Sequence, residues 1–147
     1  MSERLEAAFP GLRTRPYKIT SPADPGYNCI AWAAGSTSEW WWPLERDRRT
    51  FWPAGASREA SLTAFVAAFA ALGYAAGSDE SVELGFEKVA LFADAEGVPT
   101  HAARQLQTGR WSSKLGQAED IEHDLRALEG ELYGAVAAIL RRPISTR

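Results

Sequence analysis

The sequence predicts an α+β domain in which a helix that carries a cysteine packs on a small antiparallel sheet that carries a histidine, with additional helices. Three observations predict this class. A helix start at Asn28 precedes the only cysteine, an apolar stripe at helical spacing runs from Ser57 to Leu72, and short apolar runs separated by turn residues follow from Gly85 onward. The 147-residue length is usual for one domain. We therefore expect residues 1–147 to form a single domain, with residues 1–20 and 142–147 loosely ordered.

The composition indicates an ordinary globular chain. Hydrophobic residues make up 46%, charged residues 24%, and the formal net charge is -3. Nucleic-acid binding needs a basic face and a membrane span needs about 18 apolar residues in a row, so we expect neither partner. The start, "MSERLEAAFPGLRTRP", lacks the apolar core of a signal peptide, and a single cysteine suits a reducing compartment. We expect a cytoplasmic protein, although export without a cleaved signal stays open.

The stretch "PGYNCIAWAAG" places Cys29 at the start of a short helix. Nearby prolines make the approach irregular, while Asn28 is a typical N-cap residue and Gly35 a typical C-cap residue. A thiol at a helix N-terminus lies at the positive end of the helix dipole, which favours the thiolate. Buried free cysteines are also common as small hydrophobic residues. Cys29 is therefore either a nucleophile or a core thiol.

Tryptophans crowd the stretch "EWWWPLERDRRTFWPAG". The prolines beside them make a long regular element unfavourable. Because large aromatic side chains are buried wherever they can be, we expect a loop packed as a lid over the core. The alternative is a stacking surface, in which Trp41, Trp42 and the later Trp111 contact a substrate or partner. No basic residue is interleaved within the run of Trp40, Trp41 and Trp42, which disfavours stacking on nucleic-acid bases.

The middle of the chain predicts a scaffold helix followed by a strand meander. Ser57 is the expected N-cap of the helix, and Gly73 ends it. The stretches "GFEKVALFAD", "VPTHAARQL" and "RWSSKLG" predict three strands, the last two joined across "QTG". Along the second of these strands His101 and Gln105 share a face, since side chains alternate.

The stretch "AEDIEHDLRALEGELYGAVAAILRR" predicts a C-terminal helix, interrupted at Gly130 or Gly134. Its basic end suits a helix C-terminus. His123 lies in the charged part of this stretch, and we expect it mainly at the solvated surface or packing the helix onto the strands. Its acidic neighbours favour the charged imidazole.

One cysteine and two histidines permit a nucleophile and a general base. Cysteine catalysis needs an imidazole within reach of the thiol and a third polar group that orients the imidazole. His101 opens a strand that can lie beside the Cys29 helix, and a hairpin can return Ser113 to the imidazole, although Ser113 can equally be an ordinary strand residue. For an oxyanion, the Cys29 N–H is the expected donor, with Tyr27 or Asn28 as a second donor.

A zinc centre is the alternative use of the same side chains. Cys29, His101 and His123 make three protein ligands, the number that a catalytic zinc keeps. The chain has no close-spaced ligand pair, no phosphate-binding loop and no dinucleotide fingerprint. We therefore expect no metal and no cofactor.

Cys29 stands at the start of a helix, and His101 stands at the start of a later strand. This order of elements resembles that of papain-like cysteine hydrolases, in particular the compact NlpC/P60-type and amidase-like members. The blocks "YNCIAWA", "WWWP", "FWP", "EKVALF", "PTHAARQL" and "GRWSSKLG" also resemble an uncharacterised family of small bacterial proteins known as a domain of unknown function, from about Tyr27 to Tyr133. The papain-like resemblance implies a fold and the roles of Cys29 and His101 alone. The chain lacks a glutamine shortly before the cysteine, where Asp24 and Tyr27 stand, and it lacks a "DCSG" stretch.

These observations lead to an expected cysteine hydrolase or amidase that acts on an amide or isopeptide bond through Cys29 and His101. Its partner is then a peptide or another amide-containing substrate, which can itself be a protein. Two alternatives stay open. One is a noncatalytic interaction module, associated with immunity or effector function, that binds through the tryptophan loop. The other is a deamidase or acyl-transfer effector toxin with the same site residues. The sequence does not determine the oligomeric state.

Overall fold

The computed structural model describes residues 3–22, 27–36, 40–43, 51–54, 56–77, 79–115 and 119–144. The helices are α1 (Glu3–Ala8), α2 (Cys29–Ala34) and α3 (Leu62–Ala70), with 3₁₀ turns at Pro10–Arg13 and Leu125–Leu128. The strands are β1 (Lys18–Ser21), β2 (Ala75–Ala76), β3 (Phe86–Ala93), β4 (Pro99–Gln105), β5 (Trp111–Lys114), β6 (Asp120–His123) and β7 (Ala135–Pro143).

The strands form one antiparallel sheet in the order β1-β6-β5-β4-β3-β7-β2. Strands β3, β4 and β5 confirm the predicted meander. Because successive residues of a strand point to opposite faces, Leu91 and Phe92 of β3 join different apolar clusters. Helices α2 and α3 and the tryptophan segment cover one face, while α1 and the two 3₁₀ turns cover the other. The sheet is therefore the middle layer of the domain.

The predicted papain-like α+β class is wrong. That class packs its helices on a small sheet, whereas this chain is mostly a seven-stranded antiparallel sheet with few helices. Helices account for 24% of the structure and strands for 34%. The resemblance in the order of a cysteine helix and a histidine strand therefore does not extend to the fold.

The C-terminal stretch is the largest source of this difference. Its described part forms β6, a 3₁₀ turn and β7, and not the predicted helix. Gly130 and Gly134 exchange two backbone hydrogen bonds, of 2.9 and 2.8 Å, and have φ values of 155° and 74°. This turn sends β7 back along β3. Pairing and burial in the sheet outweigh the helical preference of an alanine-rich run.

Helix α2 forms as predicted. The side chain of Asn28 accepts a hydrogen bond from the Ala31 amide at 3.1 Å, and Gly35 ends the helix with a φ of 92°. Both predicted caps are therefore confirmed, and Cys29 is the first residue of the helix.

Helix α3 begins later than predicted. Ser61 is its N-cap, since its hydroxyl oxygen accepts the Ala64 amide at 3.1 Å. Ser57 is not the cap; its backbone carbonyl accepts a hydrogen bond from the Trp52 indole at 2.9 Å. Contact with the tryptophan segment therefore holds residue 57 outside the helix.

Replacing Ser61 with alanine is expected to lower the free energy of unfolding by about 1 kcal/mol, because an amide in the first turn loses its acceptor. Ser57→Ala is the matched control, since the carbonyl contact to Trp52 survives it, and its effect should stay within about 0.5 kcal/mol. Chemical denaturation of both variants checks the prediction. Equal losses would argue against Ser61 as the cap.

The N-terminal segment, expected to be loosely ordered, forms α1, a 3₁₀ turn and β1. Leu5, Phe9 and Leu12 are buried against the sheet. At the other end, the Ile144 amide donates to the Gly85 carbonyl at 2.8 Å, and residues 145–147 lie outside the described residues. No helix in the described ranges has the length and apolar character that crossing a membrane requires.

Candidate active site at the start of helix α2

Cys29 lies where helix α2 meets the sheet. Its side chain is buried, with 7% of the residue exposed. The main-chain amides of Ala102, Ile30 and Cys29 itself lie near enough to the thiol to lower its pKa. Burial raises the pKa of the thiol to about 11, against the lowering effects of these amides and of the Lys114 charge. The resting thiol is therefore protonated at neutral pH.

The pairing between β4 and β5 is short. In the described residues these two strands pair through Arg104 with Ser112 and Gln105 with Trp111. Ala102 lies beyond the paired residues, and its amide is among the groups that lower the pKa of the Cys29 thiol. The sulfur thus lies near the backbone of the residue that directly follows His101.

His101 is fully buried on β4. Its ring stacks on Tyr133 with centroids 4.1 Å apart and planes 9° apart, and its edge meets Phe92 at 5.2 Å. Nε2 lies 2.9 Å from the hydroxyl oxygen of Ser113, whereas Nδ1 has no hydrogen-bond partner. Burial, with a smaller effect of His123, holds the pKa of His101 well below its ordinary value. The imidazole is therefore neutral in the resting site.

A second imidazole lies behind Ser113. The Ser113 hydroxyl oxygen is 2.7 Å from Nε2 of His123, and Nδ1 of His123 is 2.7 Å from the Asp124 carbonyl. The prediction of a solvated, helical His123 is wrong, since the residue is fully buried on strand β6. Burial lowers its pKa to about 4, although the hydrogen bond to Asp124 acts in the opposite direction. The imidazole of His123 is therefore neutral, whereas its acidic neighbours predicted the charged form.

Residues 18–141 match the model of a family described as a domain of unknown function, DUF7689. The chain belongs to the DUF7689 family. The match includes Cys29, His101, Ser113 and His123. It confirms the expected membership of a family of unknown function. No curated protein and no solved structure shows significant similarity to the chain.

The DUF7689 domain uses its two predicted oxyanion donors elsewhere. The Tyr27 hydroxyl donates to Asp120 at 3.0 Å. The Asn28 amide nitrogen donates to the Trp41 carbonyl at 2.7 Å, and its oxygen accepts the amides of Ala31 and Trp41. Asn28 therefore joins the tryptophan segment to the start of α2. Both side chains therefore bind other parts of the domain in this structure.

The tryptophans of the DUF7689 domain pack mainly into its core. Trp41 is 5% exposed and Trp111 is 2% exposed, on opposite faces of the sheet. Trp42 is half-buried and meets Phe65 edge-on at 5.5 Å. These placements agree with a covering segment and leave little indole surface for a partner. Residues 44–50 of the same stretch lie outside the described residues.

Sequence reasoning missed Tyr133 and Lys114. Tyr133 covers His101 from the turn between Gly130 and Gly134, inside the stretch interpreted as a helix. Lys114 is fully buried with its ammonium 5.0 Å from the centre of the Tyr27 ring. Lys114 directly follows Ser113 on the predicted strand. Because side chains alternate along a strand, the sequence could have placed Lys114 on the face of the sheet opposite to Ser113.

The zinc alternative requires a cluster of ligands, which the described residues do not provide. Across the described ranges, no group of three histidine, cysteine or acidic side chains is arranged to hold a metal ion. His101 and His123 are joined through Ser113 instead.

Proposed function

We propose that the DUF7689 domain is a cysteine hydrolase that cleaves an amide or isopeptide bond, with Cys29 as nucleophile and His101 as base. The observation that carries this proposal is the unpartnered Nδ1 of a fully buried His101. Buried polar atoms normally have hydrogen-bond partners, so an exception calls for an explanation. Ser113 holds the opposite ring nitrogen, and the backbone amide of the next residue on the strand, Ala102, acts on the pKa of the Cys29 thiol. A base that awaits a proton from the thiol accounts for this arrangement.

The reaction has two stages, and in each stage His101 accepts one proton and then returns it. The Cys29 thiol gives its proton to Nδ1 of His101, and the sulfur attacks the carbonyl carbon. The C–N bond then breaks as His101 returns the proton to the leaving amine, which leaves a thioester. Water, deprotonated by His101, attacks the thioester and releases a carboxylic acid and the thiol. The nearby backbone amides, which lower the pKa of the thiol, favour the thiolate during the first step.

Tyr133 closes the resting site. Its ring stacks on His101, and burial, with a smaller effect from the thiolate form of Cys29, raises the pKa of its phenol. Tyr133 therefore lies within electrostatic range of the sulfur as well as against the imidazole. The turn between Gly130 and Gly134 has to move before a substrate carbonyl reaches Cys29.

The noncatalytic alternative has its own support. The thiol is buried and has a raised pKa, as a core cysteine does. On this interpretation Cys29 only fills space under α2, and the domain acts by binding. Deamidation and acyl transfer remain variants of the first proposal with the same nucleophile. In deamidation the leaving group is ammonia and water still accepts the acyl group, whereas in acyl transfer another group replaces water as the acceptor.

The rate of Cys29 alkylation by iodoacetamide distinguishes these proposals. At pH 8 the wild-type thiol is expected to react about 100-fold more slowly than the unfolded chain, because its raised pKa leaves little thiolate. Tyr133→Ala is expected to open the site, so that at pH 6 Cys29 reacts faster than the unfolded chain. Adding His101→Gln should abolish this advantage, since glutamine cannot accept the proton.

Leu132→Ala is the matched control, because Leu132 lies in the same turn and is 57% exposed. It should leave the alkylation rate at the wild-type level. Two results would favour the noncatalytic alternative. One is an alkylation rate in Tyr133→Ala with the same pH dependence as in the unfolded chain. The other is a rate in Tyr133→Ala that does not change when His101→Gln is added. Mass spectrometry of the intact chain measures each rate.

A further inference from the structure

Ser113 lies between two imidazoles. Its hydroxyl oxygen is 2.9 Å from Nε2 of His101 and 2.7 Å from Nε2 of His123. A hydroxyl has one proton and two lone pairs, so it donates to one ring and accepts from the other. The direction of this chain of hydrogen bonds decides which nitrogen of His101 carries its proton.

The Asp124 carbonyl sets the direction. A carbonyl oxygen only accepts, so the 2.7 Å contact requires a proton on Nδ1 of His123. His123 is fully buried and neutral, so its Nε2 has no proton. Ser113 must therefore donate to His123. The Ser113 oxygen then accepts from Nε2–H of His101, which leaves a bare lone pair on Nδ1.

The Asp124 end of the chain is itself held in place. Arg110 donates to Glu122 at 2.9 Å, to the Asp124 carboxylate at 2.8 Å and to the Pro16 carbonyl at 2.8 Å. One guanidinium thus ties together the residues on both sides of His123 and the segment that leads into β1. This anchoring fixes the position of the Asp124 carbonyl, and hence the direction of the chain.

We infer that His123 is a positioning residue that acts through Ser113 to hold His101 in the tautomer with a bare Nδ1. This tautomer can accept a proton from Cys29, whereas the other cannot. The use of the tautomer in catalysis rests on the proposed function. The tautomer itself follows from the hydrogen bonds and stands without it.

Nitrogen-15 spectroscopy of the histidine rings tests the inference. The full chain contains two histidines, so its ring signals can be assigned by single substitutions. At pH 7.5 we expect the proton on Nε2 of His101 and on Nδ1 of His123. His123→Phe removes the acceptor for Ser113 and should shift the tautomer ratio of His101 about tenfold or more toward Nδ1–H. His123→Gln supplies an amide oxygen as acceptor and should restore the ratio.

Ser113→Ala is the second variant for the case in which His123→Phe does not fold, because it removes one oxygen atom and adds no bulk to the core. It should shift His101 in the same direction, and adding His123→Phe to it should change nothing more. A proton on Nδ1 of His101 in the wild type would overturn the inference, as would a ratio unchanged in both single variants. The spectra need no turnover, so this result is independent of the alkylation result for Cys29.

Discussion

Lowering the pH from 7.5 to 5 is expected to cost the domain about 2 kcal/mol of stability through His123 alone. Its pKa falls from 6.5 to about 4 on folding because of burial. Below pH 6.5 the unfolded chain binds a proton that the folded chain does not, and each pH unit costs about 1.4 kcal/mol. The loss therefore runs from pH 6.5 down to about 4. His101 adds a contribution of the same sign, since burial also lowers its pKa.

Chemical denaturation at a series of pH values measures this loss. His123→Phe is expected to retain only the part of the slope that belongs to His101. Asp79 and Glu119 also have lowered pKa values, but their ordinary values of 3.8 and 4.5 lie below the window between pH 5 and 6.5. The chain contains only these two histidines. A flat stability profile over this window in the wild type would mean that both rings reach solvent.

Gly134→Ala is expected to destabilise the domain by roughly 3 kcal/mol, from backbone strain and overpacking together. Gly134 has a φ of 74°, which disfavours any residue with a Cβ. An added Cβ would also fall on the Ala93 carbonyl oxygen, and it would lie 2.9 Å from Cα of Asp94. Neither neighbour can give way easily, because both contacts are to backbone atoms next to the β3 end.

Gly97→Ala separates the two causes. Gly97 has a similar φ of 82°, but a Cβ there would have no neighbour within 4 Å. Its cost should be about 1 kcal/mol, from strain alone. If thermal or chemical denaturation shows equal losses of stability in the two glycine variants, the close packing of Gly134 against β3 does not contribute to its effect. Faster alkylation of Cys29 in Gly134→Ala than in Gly97→Ala would show that this turn also closes the site.

Features that depend on neighbouring residues were predictable. Asn28 and Gly35 cap α2 as expected, because capping needs only a short polar side chain and a residue that tolerates positive φ. The alternation around His101 placed it correctly on a strand. The hairpin to β5 did bring Ser113 to the imidazole, since a short turn returns the chain to the neighbouring strand.

Features that depend on competition between distant segments were not predictable from the sequence. Residues around His123 have the charge pattern of a helix surface, yet pairing with β5 and β1 makes them a buried strand. Ser57 is the same residue type as Ser61, but its carbonyl binds the distant Trp52 indole and the helix begins after Ser61. Tyr133 could not be assigned to the site, because its position depends on the turn between two glycines.

By itself, the sequence determined a capped helix that begins with the only cysteine and a strand meander that joins a histidine to a serine. Only the tertiary structure decided that these elements belong to a seven-stranded sheet, that His123 completes a buried chain behind Ser113, and that Tyr133 covers His101. The physical reason is the range of the forces. Caps and alternation are settled within a few residues, whereas burial, and the pKa values that follow from it, depend on which distant segments exclude water from a site.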